Sequence, residues 1–135
     1  MLIPHLHFCG DCKAAIALYE KAFDTKVEEY VTFDDYSRND PESCANDKQI
    51  AHARMIIHGQ ALMLNDRDDF ANKDKSLNSA PHLIVQFASK EELLACYEHF
   101  KDNGRIIDPF VTTFYSALVG NFMDEFGVLW GFMVV

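Results

Sequence analysis

Apolar and polar positions alternate at the start of the chain. Leu2, Leu6 and Phe8 fall on one face, and Ile3, His5 and His7 on the other, as in a half-buried strand. Over 12–23 the period lengthens. Ala15, Ile16, Tyr19, Ala22 and Phe23 make one helical stripe, with Asp11 placed to cap it. Lys26–Phe33 is rich in β-branched and aromatic residues and predicts a second strand. A polar stretch over 34–49 containing Pro41 breaks the pattern, and a loop this long is either a mobile lid or partly disordered. Ile50–His58 and Ala61–Asn65 then predict a hairpin turning at Gly59-Gln60, and residues 66–80 form a second polar loop.

The pattern starts again at His82. Leu83, Val85 and Phe87 alternate with His82, Ile84 and Gln86. Ser89 and Glu92 have capping-box spacing for a helix reaching about Asn103, with Gly104 after it. Arg105–Ile107, Ser116–Met123 and Val128–Val134 predict three strands. Each half thus reads strand–helix–strand–strand–strand. The tripeptide Pro4-His5-Leu6 recurs as Pro81-His82-Leu83 at the corresponding start of the second half. The expectation is one domain over 1–135, made of two βαβββ modules at about 1–66 and 81–135 and joined by 67–80.

Strand parity also sorts side chains by face. Ala53, Met55, Ile57, Leu62 and Leu64 belong with Leu6 and Phe8 against the helix. The opposite face collects His5, His7, His52, Arg54, Ile56, His58, Met63 and Asn65, and in the second half His82, Ile84 and Gln86. A solvated sheet face explains half-polar strands. Imidazoles, an amide and a guanidinium gathered on one face also suit a small-molecule site. By the same parity Trp130 packs under the helix, and Asp124 before Phe126-Gly127 caps a turn.

Composition narrows the function. The chain has 135 residues, and its hydrophobic fraction of 49% is ample for a packed core. A net charge of −9, with no Lys/Arg stripe, argues against nucleic acid. No apolar run is long enough to span a membrane, and the N-terminus has no signal-like core. The expectation is a cytoplasmic protein whose Cys9, Cys12, Cys44 and Cys96 are free thiols.

Several stretches resemble a known family. They are Pro4-His5-Leu6-His7-Phe8, Ala15-Ile16-Ala17-Leu18-Tyr19, Ala22-Phe23, His52-Ala53, Gly59 with Leu62-Met63-Leu64-Asn65-Asp66, Asn103-Gly104 and Asp124-Glu125-Phe126-Gly127-Val128-Leu129-Trp130. Together they are similar to the vicinal oxygen chelate superfamily (glyoxalase I, bleomycin-resistance proteins, extradiol dioxygenases) and to its PhnB-like branch. Asp24 stands where that family usually has Gly, and Asp tolerates the left-handed conformation. The resemblance implies an α+β fold, with two βαβββ units forming a cupped eight-stranded mixed sheet and helices on its convex side. It also implies a homodimer and a site in the cup. It adds the aromatic pair Phe114-Tyr115 at the cup's mouth to the ligand-binding candidates His5, His7, His52, Arg54, Met63, Asn65, His82 and Gln86.

Metalloenzymes of the superfamily take ligands at positions that fall here on Ile3, Met63, His82 and Gly131. Of these only His82 is a ligand in type, whereas a catalytic divalent site needs about three. The expectation is a small-molecule-binding protein with no cofactor, taking an anionic or oxygen-rich ligand. One alternative is a metal-dependent lyase or dioxygenase of glyoxalase type that holds Zn, Ni or Fe through His82 and His5. Another is a thiol redox or zinc-binding protein using Cys9 and Cys12, a C-x-x-C pair at a strand–helix junction that follows His5-x-His7. Asp66-Arg67-Asp68-Asp69 reads as a solvated loop in preference to an acidic metal cluster.

Overall fold

The computed structural model describes residues 1–32, 49–66 and 82–135. The chain divides into two compact units, Met1–Leu77 and Asn78–Val135. Most of the 34–49 stretch and Arg67-Asp68-Asp69, Cys44 and Pro81 lie outside the described residues.

The N-terminal unit runs β1 (His5–Phe8), α1 (Cys12–Ala22), β2 (Val27–Thr32), β3 (Ile50–Ile57) and β4 (Gln60–Asp66). Its sheet has the order β1-β4-β3-β2, with β1 parallel to β4 and the other pairs antiparallel. The C-terminal unit repeats the plan with β5 (His82–Phe87), α2 (Lys90–Tyr97), β6 (Arg105–Val111), β7 (Val119–Met123) and β8 (Leu129–Val134), in the order β5-β8-β7-β6. The expected α+β class and both βαβββ units are therefore present.

Parity determines what each sheet buries. Leu6, Phe8, Ala53, Met55, Ile57, Leu62 and Leu64 are buried. Helix α1 lies against β4 and contributes Cys12, Ala15, Ile16, Tyr19 and Ala22 to that core. The second core is aromatic. Phe122 stands 4.8 Å from Phe132 and 5.1 Å from Phe100 (ring centroids), and Trp130 is buried beside them. Helix α2 covers it with Leu93 and Cys96.

Several boundaries move. Strand β1 starts at His5, and Leu2 is exposed. The hairpin turns at His58-Gly59, with φ of 48° and 80°, because Ile57 pairs with Gln60. Two positive φ values suit the right-handed twist of the flanking strands. His58 is therefore a turn residue, edge-on to Phe23 at 6.0 Å. Asp24 takes φ 49° directly after α1, the left-handed conformation for which the family uses Gly. Ser89 caps α2 as expected, accepting from the Glu92 amide. The α-helix stops at Tyr97, and turns continue to Asn103. Strand β6 extends to Val111, and β7 begins only at Val119.

Two buried aspartates tie down the connections. Asp124 accepts from the amides of Phe126 and Val128 and from Trp130 Nε1, each at 2.9 Å, as its turn-capping role requires. Asp66 is fully buried at the end of β4. It accepts from the amides of Gly10 (2.8 Å), Cys12 (3.0 Å) and Ile50 (2.9 Å). The expectation of a solvated loop at Asp66 is thus corrected. The start of α1 is held by this distant carboxylate, whereas Asp11 makes no side-chain cap.

Candidate functional site

On the N-terminal sheet, the face away from α1 carries the expected polar residues. His7 Nδ1 lies 2.6 Å from Asn65 Oδ1, directly across the parallel β1–β4 pair. His5 is the next residue up on the same face, opposite Met63, with its ring centroid 4.2 Å from that of His7. His52 and Arg54 follow on β3, where Arg54 pairs with Met63. The structure therefore brings together six of the expected residues: His5, His7, His52, Arg54, Met63 and Asn65.

Strand β2 adds two carboxylates that parity alone would send to opposite faces. Val27 pairs with Met55 and Glu29 with Arg54, so Glu28 is an extra residue at a β-bulge. The bulge lets Glu28 reach Arg54 while Glu29 lies 3.2 Å from His52. Arg54, expected to suit an anionic ligand, is thus already neutralised by its own sheet.

Partial desolvation, then the neighbouring His7 and His52, holds the His5 imidazole below the ordinary histidine value of 6.5. The unfolded chain therefore binds a proton at His5 more readily than the folded one. The contribution to stability is complete above pH 6.5 and is lost as pH falls toward the lowered folded value. The charged and titratable groups facing His5 are His7, His52 and Arg54 with their partners Glu28 and Glu29. Urea midpoints should decline from pH 7.5 to pH 5, and His5→Asn should make that decline shallower. An identical decline in the variant would assign it elsewhere.

On the C-terminal sheet, His82 and Gln86 are exposed on one face of β5. His82 Nε2 lies 3.0 Å from Oδ1 of Asn121 on β7, reaching across the intervening strand β8. The bond passes over Gly131. A Cβ there would come within 2.7 Å of both His82 Nε2 and Asn121 Oδ1. Asn121 Nδ2 in turn donates to Asp108 Oδ2 at 2.7 Å. Phe114 and Tyr115 lie in the β6–β7 connection, both exposed, with their rings edge to face at 5.2 Å.

Asn121, Asp108, Glu28 and Glu29 were not anticipated. Asn121 was legible, because it alternates with buried Phe122 in an apolar strand and so must share the face of His82. The carboxylates depend on bulges, which leave no trace in a polar sequence.

The register tests the superfamily's metal positions. Phe8 and Phe87 end their first strands opposite Asp66 and Val134, so His5, opposite Met63, matches Ile84, opposite Gly131. His82 then corresponds to Ile3, two residues before His5. Of Ile3, Met63, His82 and Gly131, one is an imidazole, one a thioether, and two have no donor side chain. The Nε2 of His82 is engaged by Asn121, and that bond fills the space where a side chain at 131 would stand. Among the described residues no group of three or more His, Cys, Asp and Glu is placed to hold a metal ion. These residues do not fit the superfamily's divalent ion.

Cys12, the second cysteine of the C-x-x-C pair, sits in a closed environment. Cys12 is buried at the start of α1, and desolvation, then the Asp66 carboxylate, pushes its thiol far up. Cys12 is therefore not the activated nucleophile of a thiol pair. Iodoacetamide at pH 7.5 should leave Cys12 unlabelled in the folded protein and label it once unfolded. Rapid native labelling by peptide mapping would contradict this environment.

Comparison with known proteins agrees with this fold. The model of the Glyoxalase/Bleomycin resistance protein/Dioxygenase superfamily matches residues 2–132. Protein YjdN of Escherichia coli K12 is 28% identical over 142 residues, covering 99% of this chain and 95% of that protein. Protein PA1353 of Pseudomonas aeruginosa superimposes with a TM-score of 0.82 at 26% identity, covering 99% of this chain and 96% of that one. A Bacillus cereus protein described as a putative 3-demethylubiquinone-9 3-methyltransferase, PhnB protein, gives 0.80 at 21% identity, covering 99% and 98%, a likeness of fold. No helix among the described residues is long and apolar enough to cross a membrane. With two βαβββ units and a family match spanning nearly its whole length, the chain belongs to the glyoxalase/bleomycin resistance protein/dioxygenase superfamily.

Proposed function

We propose that the protein binds a small oxygen-rich molecule on its polar sheet faces through hydrogen-bonding side chains, without the superfamily's metal ion. The observation that carries this reading is the His82–Asn121 hydrogen bond over Gly131. It occupies a ligand position of the metalloenzymes with a bond between two of the chain's own side chains. His5, His7 and Asn65 offer further donors and acceptors on the N-terminal sheet. An anionic ligand would compete with Glu28 for Arg54, so neutral or weakly charged oxygen groups fit better. Phe114 and Tyr115, both exposed, are candidates to stack on such a ligand. Homodimer formation and a cytoplasmic location belong to the same reading.

The test is an amide and imidazole NMR titration with glycolate, acetohydroxamate and inorganic phosphate, each with EDTA present. The reading predicts saturable shifts at His5, His7, His82 or Asn121 that persist in chelator. Shifts that appear only with added metal, or none at these residues at millimolar probe, would overturn it.

A further inference from the structure

Asp108, Asn121 and Gly131 stand in one row across β6, β7 and β8, with Asp108 opposite Asn121 and Asn121 opposite Gly131. The row depends on a second bulge. Ile106 pairs with Phe122 and Asp108 with Asn121, so Ile107 is the extra residue. Without it, Ile107 would oppose Asn121 and Asp108 would point to the other face.

The chemistry gives this chain of hydrogen bonds a direction. A carboxylate oxygen accepts, so the Asn121 amide turns Nδ2 toward Asp108. Its Oδ1, also an acceptor, is left facing His82. His82 must then donate, which places its proton on Nε2. A neutral imidazole with the proton on Nε2 has Nδ1 as a bare acceptor. Among the described residues nothing hydrogen-bonds that nitrogen, and the ring is exposed.

We propose that Asp108, acting through Asn121, is a positioning residue that fixes His82 as the Nε2–H tautomer and presents Nδ1 to accept a hydrogen bond from a ligand. This inference rests on the small-molecule reading above and narrows its ligand class. The molecule must bring an O–H or N–H donor, as a hydroxy acid, enediol or hydroxamate does, and a ligand with acceptors alone gains nothing from His82. Gly131 is part of the same device, since any side chain there would collide with the bond that sets the tautomer.

Long-range ¹H–¹⁵N spectra of the His82 ring test the assignment in the wild-type protein, Asp108→Ala and Asp108→Lys. Asp108 is an exposed residue on an edge strand, so both variants should fold. The wild type should show Nε2–H in about tenfold or greater excess, the worth of one good hydrogen bond. Asp108→Ala should reduce that excess. Asp108→Lys offers Asn121 a donor, turns its amide over, and should favour Nδ1–H. Acetohydroxamate should shift His82 Nδ1 and bind about tenfold more weakly to Asp108→Lys. Acetate, an acceptor only, should not distinguish the two proteins.

Equal tautomer populations in the wild type and Asp108→Ala would overturn the role of Asp108 while leaving small-molecule binding intact. Equal behaviour of acetate and acetohydroxamate would overturn the donor requirement. A tautomer that responds to Asp108 in a protein whose polar faces bind neither probe would overturn the small-molecule reading and leave the tautomer control standing.

Discussion

Replacing Asp66 by Ala is expected to destabilise the protein by about 3–7 kcal/mol, because two buried amides lose their acceptor at about 1–3 kcal/mol each and a third, only partly buried, loses its bond at about 1 kcal/mol. Those amides belong to Gly10, Cys12 and Ile50, at the β1–α1 turn and at the start of β3. A loss of that size is comparable with the whole stability of an ordinary domain. Asp66→Asn separates the components. Its amide oxygen can keep the two bonds that Oδ1 makes to Gly10 and Cys12. Its NH₂ would then face the Ile50 amide, setting donor against donor. The Asn variant should therefore fall between wild type and Ala in urea denaturation. An Ala variant within 1 kcal/mol of wild type, a loss smaller than one such amide is worth, would show that the three bonds are not made in solution.

Gly131→Ala is expected to abolish most ligand binding with little change in stability. The added Cβ meets only the tips of two side chains, His82 and Asn121, at 2.7 Å. Both can swing aside without moving the backbone, so the fold survives. The hydrogen bond between them does not. With it goes the fixed tautomer, and affinity for a donor-bearing probe such as acetohydroxamate should drop about tenfold. Asn121→Ala should give a similar drop, since it removes the same acceptor. Unchanged affinity in both variants, measured by the same NMR titration, would detach the His82–Asn121 bond from binding.

These two sites show what a linear sequence displays and what it conceals. The alternation around His5, His7, Met63 and Asn65 placed each on the polar face, because a strand's period of two follows directly from its geometry. Asp124 was legible as a turn cap, since its amide partners are two and four residues away. Asp24 was legible because a short polar residue after a helix tolerates positive φ.

Asp66 was misread for the opposite reason. It leads the polar string Asp66-Arg67-Asp68-Asp69, while its partners at Gly10 and Cys12 are 56 and 54 positions away. Nothing local distinguishes a buried acceptor from a solvated one. The face of Asn121 was legible, but its bond to His82, 39 positions away, was not. The bulges at Glu28 and Ile107 are subtler. They bring Glu29 and Asp108 onto polar faces only because one strand carries one residue more than its neighbour. The two Pro-His-Leu tripeptides are not at equivalent positions, because the register matches His82 with Ile3 and His5 with Ile84. Sequence likeness and structural equivalence differ there by one pleat.

The claim that binding here needs no metal meets its most direct test in metal stoichiometry. Wild-type protein and His82→Ala would each be equilibrated with zinc, nickel and ferrous iron, desalted, and measured by mass spectrometry of the metals. The account predicts far less than one equivalent per chain in both, and probe binding that is unchanged by chelator. A full equivalent in the wild type that is lost in His82→Ala would contradict it.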